Sequence, residues 1–191
     1  MRNHLGYGWR TCNVRPRHSN RKDVVLNRAI FHKFMELALE NNVQFTYINE
    51  MSVCTRHLSF RSWIHKENPV QIIAPPSSQS ISVIESITED GHFDRVLRKG
   101  TNRENEILQF LIDLDEKFQA RYGADYRDFR KRNVIIMDNA AYHKTEIISR
   151  FAKKQGIQML TLPQYTPEWN PIEIVWSWVK RNLSKMNMNS R

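Results

Sequence analysis

The stretch that decides the fold runs from Asn133 to Asn182 and reads NVIIMDNAAYHKTEIISRFAKKQGIQMLTLPQYTPEWNPIEIVWSWVKRN. Its apolar, largely β-branched start at residues 134–137 predicts a buried strand that ends at Asp138. A helix is predicted over residues 145–155, and a second buried strand over residues 157–162. This alternation of strand and helix is typical of an α/β fold.

Two carboxylates of this stretch lie at the two ends of most of its length. Asp138 lies at the end of the first strand, and Glu173 lies on a further helix that follows the proline-rich segment 163–171. Carboxylates placed in this way can converge on one point, and Mg²⁺ prefers such oxygen ligands. Two such ions can bind the attacking and leaving oxygens of a phosphodiester. The alternative is that Asp138 caps a strand end and Glu173 is a favourable charge at a helix start, and the spacing alone leaves both open.

The motifs MDNAAYH and LPQYTPEWNPIE resemble the catalytic domain of Tc/mariner-superfamily transposases. In that family, the first motif carries the second metal-binding Asp and the second motif carries the third acid. Thirty-four residues separate Asp138 from Glu173, which is one of the family's characteristic spacings. The resemblance implies a ribonuclease-H-like α/β fold, with a mixed sheet flanked by helices, and a DDE site that uses Mg²⁺ or Mn²⁺ to cut and join DNA.

The position of the family's first acid is the main departure. The first strand is predicted over residues 43–53, with Asn49 on one face and Glu50 on the other. Family members usually have Asp-Glu where this chain has Asn49-Glu50, and the downstream Arg61-Ser62-Trp63 resembles the family's R-x-W. The resemblance implies metal ligands at Asp138 and Glu173. The implied catalytic set is Asn49, Asp138 and Glu173.

Other residues of the motifs are expected to support the site. His143 occupies the family's histidine position and is expected to orient the site or a phosphate; the alternative is a histidine bonded to backbone at a helix start. Asn139, next to Asp138, is assigned a supporting role. Trp169 and Trp176 are expected to pack rather than to stack on bases, and Asn170 is expected to shape the start of the Glu173 helix.

The formal net charge of +9 is unevenly placed. Residues 1–34 carry +7 and residues 174–191 carry +4, whereas the middle carries −2. Basic ends around a near-neutral centre suit contact with phosphate backbones, and solvated tails are the alternative. The resulting candidate DNA contacts are Arg10, Arg15, Arg17, Arg21, Lys22, Lys180 and Arg181.

The rest of the chain divides into a basic linker arm with a helix over residues 1–42 and a ribonuclease-H-like domain over residues 43–191. Within the first part, a helix from Asp23 to Asn41 is predicted, with Asp23 as its cap. Its predicted apolar face contains Ala29, Ile30, Phe34, Leu37 and Ala38. Further predictions are a strand at 72–74, paired strands at 81–88 and 93–97, a helix at 103–122 and a charged loop at 123–132.

Several classes of protein are disfavoured. Cys12 and Cys54 lack the paired spacing of a zinc module, which fits a reducing compartment. No apolar run is long enough to span a bilayer, so no membrane partner is expected.

The resemblance implies DNA as a partner and leaves a homodimer open. It also implies a nuclear location in a eukaryote and a cytoplasmic one otherwise. No segment is assigned the helix-turn-helix role by which such transposases recognise transposon ends.

Two functions remain open from the sequence. The first is the catalytic domain of a Tc/mariner-like transposase that cleaves and transfers DNA strands. The second is a transposase-derived DNA-binding or protein-interaction module that no longer cuts, which Asn49 favours because an amide carries no charge for a metal.

Overall fold

The computed structural model of the chain describes residues 17–54 and 80–189. Arg10, Arg15, the Arg61-Ser62-Trp63 segment and the strand expected at 72–74 lie outside the described residues. The helices are α1 Lys22–Glu40, α2 Glu104–Tyr122, α3 Tyr126–Arg132, α4 Glu146–Gln155 and α5 Ile172–Asn189. The strands are β1 Gln44–Cys54, β2 Ser80–Thr88, β3 Gly91–Lys99, β4 Asn133–Met137 and β5 Gln158–Thr161. None of the described helices is long and apolar enough to cross a membrane.

The five strands form one mixed sheet in the order β3-β2-β1-β4-β5. β1, β2 and β3 pair antiparallel, whereas β4 runs parallel to both β1 and β5. The predicted α/β fold with a mixed sheet is therefore confirmed. In the β1–β4 register Ile48 is paired with Met137. The next residues, Asn49 within β1 and Asp138 just past the end of β4, consequently lie side by side at the centre of the sheet.

Helices cover both faces of the sheet, and the alternation along β1 assigns each side chain to one of them. Ile48 belongs to a buried cluster with residues of α2, α3 and α4. Phe45 packs with α1, and Met51 packs with Ile172 and Trp176 of α5. Asn49 shares the second face, so it points towards the helix that carries Glu173, while Glu50 points to the first face, as predicted.

The helix α1 differs from its prediction in two ways. Its buried residues are Val24, Phe31 and Ala38, whereas Ile30 is 58% exposed and Phe34 and Leu37 are also exposed. The helix contacts the sheet through a narrow stripe, so its other apolar side chains stay in solvent. The predicted cap is also wrong, because the helix begins at Lys22 and the Asp23 carboxylate instead binds the Arg21 guanidinium.

Two further elements differ from expectation. The charged loop predicted at 123–132 is a 3₁₀ turn followed by α3, because Phe129 is buried against α2 and fixes the helix there. The strand β5 is half-exposed rather than buried, since it forms the edge of the sheet next to β4. The hairpin, the helix α2 and the end of α4 at Gly156 agree with prediction.

A largely buried ion pair connects α2 to α3. Arg130 Nη2 lies 2.8 and 2.7 Å from the two carboxylate oxygens of Asp115, and Tyr126 Oη donates to the same carboxylate. The Asp115 side chain is only 11% exposed, so its charge depends on this partner. A second Arg130 nitrogen donates to the Gln155 carbonyl at the end of α4. This one residue therefore joins three helices.

Arg130→Ala is expected to lower the free energy of unfolding by about 2–3 kcal/mol, because it leaves a buried carboxylate without its cation. The matched control is Lys131→Ala, which removes an exposed ion pair with Asp128 and is expected to cost about 0.5 kcal/mol or less. Urea unfolding measures both. Equal losses for the two variants would contradict the role given to Arg130.

Candidate active site

A cavity of about 380 Å³ opens where β4 ends and α5 begins. Asp138 and Glu173 both line it, as the sequence predicted for the two acids. Asn49 is not among the lining residues. It is 3% exposed and contacts the cavity-lining Glu173. The full lining is Asp138, Asn139, Leu162, Pro163, Gln164, Tyr165, Thr166, Pro167, Asn170 and Glu173.

The Asp138 carboxylate is held by its own loop. Its Oδ1 accepts the Ala140 N–H at 2.9 Å and lies 2.8 Å from His143 Nδ1. Burial raises the pKa of Asp138, but the His143 hydrogen bond, the Ala140 N–H and the charges of His143 and Lys144 outweigh burial and lower it. Asp138 is therefore a carboxylate at neutral pH, and its side chain is 45% exposed towards the cavity.

The imidazole of His143 bridges two carboxylates. Its side chain is fully buried, and its Nε2 lies 2.8 Å from Oε1 of Glu50 on the first face of the sheet. Burial alone would lower the pKa of His143, but its hydrogen bonds to Asp138 and Glu50 raise it to about 9. The imidazolium thus donates to both acids. The expected orienting role of His143 has this contact with Asp138 as its physical basis, and Glu50 is a partner that the sequence did not indicate.

The most informative contact of the site joins Asn49 to Glu173. Asn49 Nδ2 donates to Glu173 Oε1 at 3.0 Å, and Asn49 Oδ1 accepts the Glu50 N–H at 2.9 Å. A carboxylate can only accept and a backbone N–H can only donate, so the two partners fix the orientation of the amide. The amide oxygen is turned away from Glu173, and an N–H group faces the acid.

Another acid, Glu85, lies next to Asn49 on the neighbouring strand. Glu85 of β2 is directly opposite Asn49 in the antiparallel register and is 5% exposed. Residues paired in this way have Cβ atoms about 4.5–5.5 Å apart. An Asp at position 49 would thus add a carboxylate between Glu85 and Glu173, whereas the neutral amide of Asn49 avoids that repulsion.

The start of α5 is fixed by the residues before it. Asn170 is 2% exposed, and its Oδ1 accepts the Ile172 N–H at 3.3 Å, while its carbonyl accepts the Glu173 N–H at 3.0 Å. Trp176, one turn further on, is buried against Met51 of β1. Trp169 stacks on Phe31 of α1 with ring centroids 5.6 Å apart. The expected packing roles of both tryptophans and of Asn170 are therefore confirmed.

One wall of the cavity is a loop that α1 holds in place. The Arg28 guanidinium donates to the carbonyls of Gln164 and Tyr165 at 3.2 and 3.0 Å, and to the Ser19 carbonyl at 3.2 Å. Within the loop, Thr166 Oγ1 donates to the Pro163 carbonyl at 2.7 Å. No sequence pattern indicates this role of Arg28, because its partners lie 136 and 137 residues away along the chain.

The candidate DNA contacts are less closely grouped than the acids. Arg21 and Lys22 lie at the start of α1, where Arg21 forms an exposed ion pair with Asp23. Lys180 and Arg181 are exposed on α5. Arg17 begins a 3₁₀ turn, Arg17–Asn20.

Asn139, which the sequence assigned a supporting role, lines the cavity, and its Oδ1 accepts from Lys144 Nζ.

Only some residues of the site are suited to bind a divalent metal ion. Asp138 and Glu173 provide the oxygen ligands that divalent cations prefer. Asn49 does not fit the place of an acid that bridges two ions, since its N–H group points at Glu173. Within residues 17–54 and 80–189, no three His, Cys, Asp or Glu side chains are grouped closely enough to hold an ion.

The shifted pKa of His143 predicts how stability depends on pH. Because the folded pKa of about 9 exceeds the ordinary value of 6.5, the contribution of His143 is complete below pH 6.5 and is lost as pH rises through 9. Urea unfolding in EDTA should show a steeper alkaline loss for the wild type than for His143→Gln. The control is His32→Gln, at an exposed histidine, which should keep the steep profile. Identical profiles for wild type and His143→Gln would contradict the pairing.

Solved structures share this fold. The pre-cleavage Mos1 transpososome has a TM-score of 0.70 at 15% identity, covering 94% of this chain and 54% of that chain. The Mos1 mariner paired end complex with Mn has a TM-score of 0.63 at 15% identity, covering 87% and 50%. The catalytic domain of Mos1 mariner transposase has a TM-score of 0.59 at 14% identity, covering 92% and 76%. The chain thus spans about half the length of the first two.

A family match accompanies this likeness of fold. The sequence profile described as DDE superfamily endonuclease matches residues 44–191, which is most of the chain. No curated protein sequence matches the chain. The motifs around Asp138 and Glu173 lie within the matched residues, and the mixed sheet is that of the Mos1 catalytic domain. The chain therefore belongs to the DDE superfamily of endonucleases, as its resemblance to Tc/mariner transposases implied.

Proposed function

We propose that this chain is the DNA-binding phosphoryl-transfer domain of a Tc/mariner-type transposase whose cleavage is impaired by Asn49. The reaction class follows from the family, whose members are described as endonucleases. DNA as the substrate is supported by the Mos1 structures of the same fold, which are a complex with a left transposon end and a strand transfer complex. The net charge of +9 also favours a polyanionic partner.

The residues of the site have two proposed roles, metal binding and the orientation of the metal ligands. Asp138 and Glu173 line one cavity and are the proposed ligands of one divalent ion, Mg²⁺ or Mn²⁺. Mos1 structures with Mg and with Mn support the choice of metal. A bound divalent ion would stabilise negative charge on the phosphodiester oxygens. His143 fixes the Asp138 carboxylate through Nδ1, and Glu50 fixes the imidazole from the opposite side.

The hydrogen bond from Asn49 to Glu173 carries the proposal of impaired cleavage. It satisfies Glu173 with an amide N–H group where a family member would place the first acid. Two ions held by a shared carboxylate need a negative charge at position 49, and the amide supplies none. Losing the stabilisation of either the attacking or the leaving oxygen costs roughly 3 kcal/mol or more, which is on the order of a hundredfold in rate.

The same hydrogen bond favours a second candidate function of a different class. A pocket whose acids are already paired with an amide and an imidazolium is stable without metal. Such a domain would serve as a transposase-derived DNA-binding or protein-interaction module. The two candidates differ in whether the rest of the site still supports cleavage once position 49 carries an acid.

Nicking of supercoiled plasmid in Mg²⁺ or Mn²⁺ tests the proposal. The wild-type chain is expected to nick no faster than Asp138→Ala, which removes a proposed ligand. Asn49→Asp is expected to nick about a hundredfold faster than wild type if the rest of the site is competent. A variant that binds DNA but does not nick would favour the binding module. Rapid nicking by the wild type that is abolished in Asp138→Ala would contradict the impaired site.

Metal dependence of stability provides a separate test that needs no cleavage. Without metal, Asn49→Asp is expected to lower the free energy of unfolding by about 2 kcal/mol, because it replaces a donor with a charge beside Glu85 and Glu173. Mn²⁺ should recover much of that loss, whereas it should shift the wild type little. Asn27→Asp, the same change at an exposed position of α1, is the control and should respond to neither. A wild type stabilised by Mn²⁺ as strongly as Asn49→Asp would contradict the argument from Asn49.

A further inference from the structure

Tyr165 has two features that would not be expected together in a residue that contributes only to stability. Its backbone has φ of +60°, in the left-handed region that strains every residue except glycine. Its side chain is 38% exposed and forms no ring contact or hydrogen bond with the residues at 17–54 and 80–189. Glycine would remove the strain at such a position. No ring contact or hydrogen bond with those residues accounts for an aromatic side chain there.

The strained conformation is nevertheless firmly held. Arg28 donates to the carbonyls of Gln164 and Tyr165, and Thr166, which is 3% exposed, bonds back to Pro163. Three residues beyond Arg28 on the same helix, Phe31 stacks on Trp169 and holds the end of the loop. A rare backbone conformation persists only where its surroundings determine it, and such positions concentrate at functional sites.

The position of Tyr165 indicates what it would contact. It lines the same cavity as Asp138 and Glu173, the two acids proposed to act on a DNA phosphodiester. Tyrosine offers a flat, amphipathic ring, and an unpaired nucleobase offers a flat partner of the same kind. In an intact duplex the bases are stacked on one another, so a base free for such a contact occurs at a single-stranded end or extension.

We propose that Tyr165 is a stacking platform for an unpaired nucleobase next to the phosphate held at the acidic pocket. This inference rests on the proposed binding of DNA at that pocket. It concerns the structure of the bound strand and is independent of whether the chain cleaves DNA.

The experiment compares two DNA probes at one fixed salt concentration, a short blunt duplex and the same duplex with a single-stranded extension. Fluorescence anisotropy measures the dissociation constant of each. The wild type is expected to bind the extended probe about tenfold more tightly. Tyr165→Phe should keep this preference because the ring remains. Tyr165→Gly should lose it while binding the blunt probe as wild type does.

Thermal unfolding of the same proteins separates function from folding. Tyr165→Gly relieves the strained φ, so its unfolding midpoint should not fall below that of the wild type. Trp178→Ala is the matched control, since Trp178 is another exposed aromatic, at 63% exposure on α5. It should keep the preference for the extended probe.

The outcomes distinguish this inference from the function on which it rests. Binding of both probes with no preference, or a preference that survives Tyr165→Gly, would overturn the stacking role and leave DNA binding intact. A midpoint that falls in Tyr165→Gly would show that the side chain serves the fold, which also overturns it. Failure to bind either probe would overturn the proposed DNA function together with this inference.

Discussion

The parallel pairing of β1 with β4 is the contact on which the site depends. It joins Gln44 to Asn133 and continues to Ile48 and Met137, so it brings together two segments separated by most of the domain. Only this register sets Asn49, in the middle of β1, beside Asp138, just past the end of β4. A shift by one residue would turn Asn49 away from α5 and Glu50 towards it, exchanging the partners of both side chains. The same pairing anchors β5 and, through β2, the hairpin that completes the sheet.

Around that pairing, the charges of the pocket are balanced within the protein. The His143 imidazolium lies between Asp138 and Glu50, and the amide of Asn49 lies against Glu173. Buried or half-buried carboxylates are costly unless they are paired, and here each has a donor from the chain itself. Asp138, Glu50 and Glu173 thus each have a hydrogen-bond donor from within the protein. An acid at position 49 would leave the same arrangement with a surplus of negative charge beside Glu85.

The sequence predicted the centre of the fold more accurately than its margins. The strand of residues 134–137, the start of the helix carrying Glu173 and the two faces of β1 followed from periodicity and from the family motifs. The buried stripe of α1 did not, because several helix faces are apolar and only the sheet decides which one packs. The helix α3 was hidden for a similar reason, since its stability comes from Phe129 and from Arg130 bound to Asp115. The contacts of Arg28 with the loop and of Glu50 with His143 join residues that are distant in sequence, which no local pattern encodes.

The Asn49 hydrogen bond depends on one amide group at a position where a carboxylate would differ very little in shape. Asparagine and aspartate codons differ at a single base, and their side chains differ by an amide in place of a carboxylate oxygen. In this chain the amide of Asn49 donates to Glu173 and the imidazolium of His143 lies against Asp138, so both acids have a partner with asparagine at position 49. A single base change therefore separates the neutral amide at this position from a carboxylate.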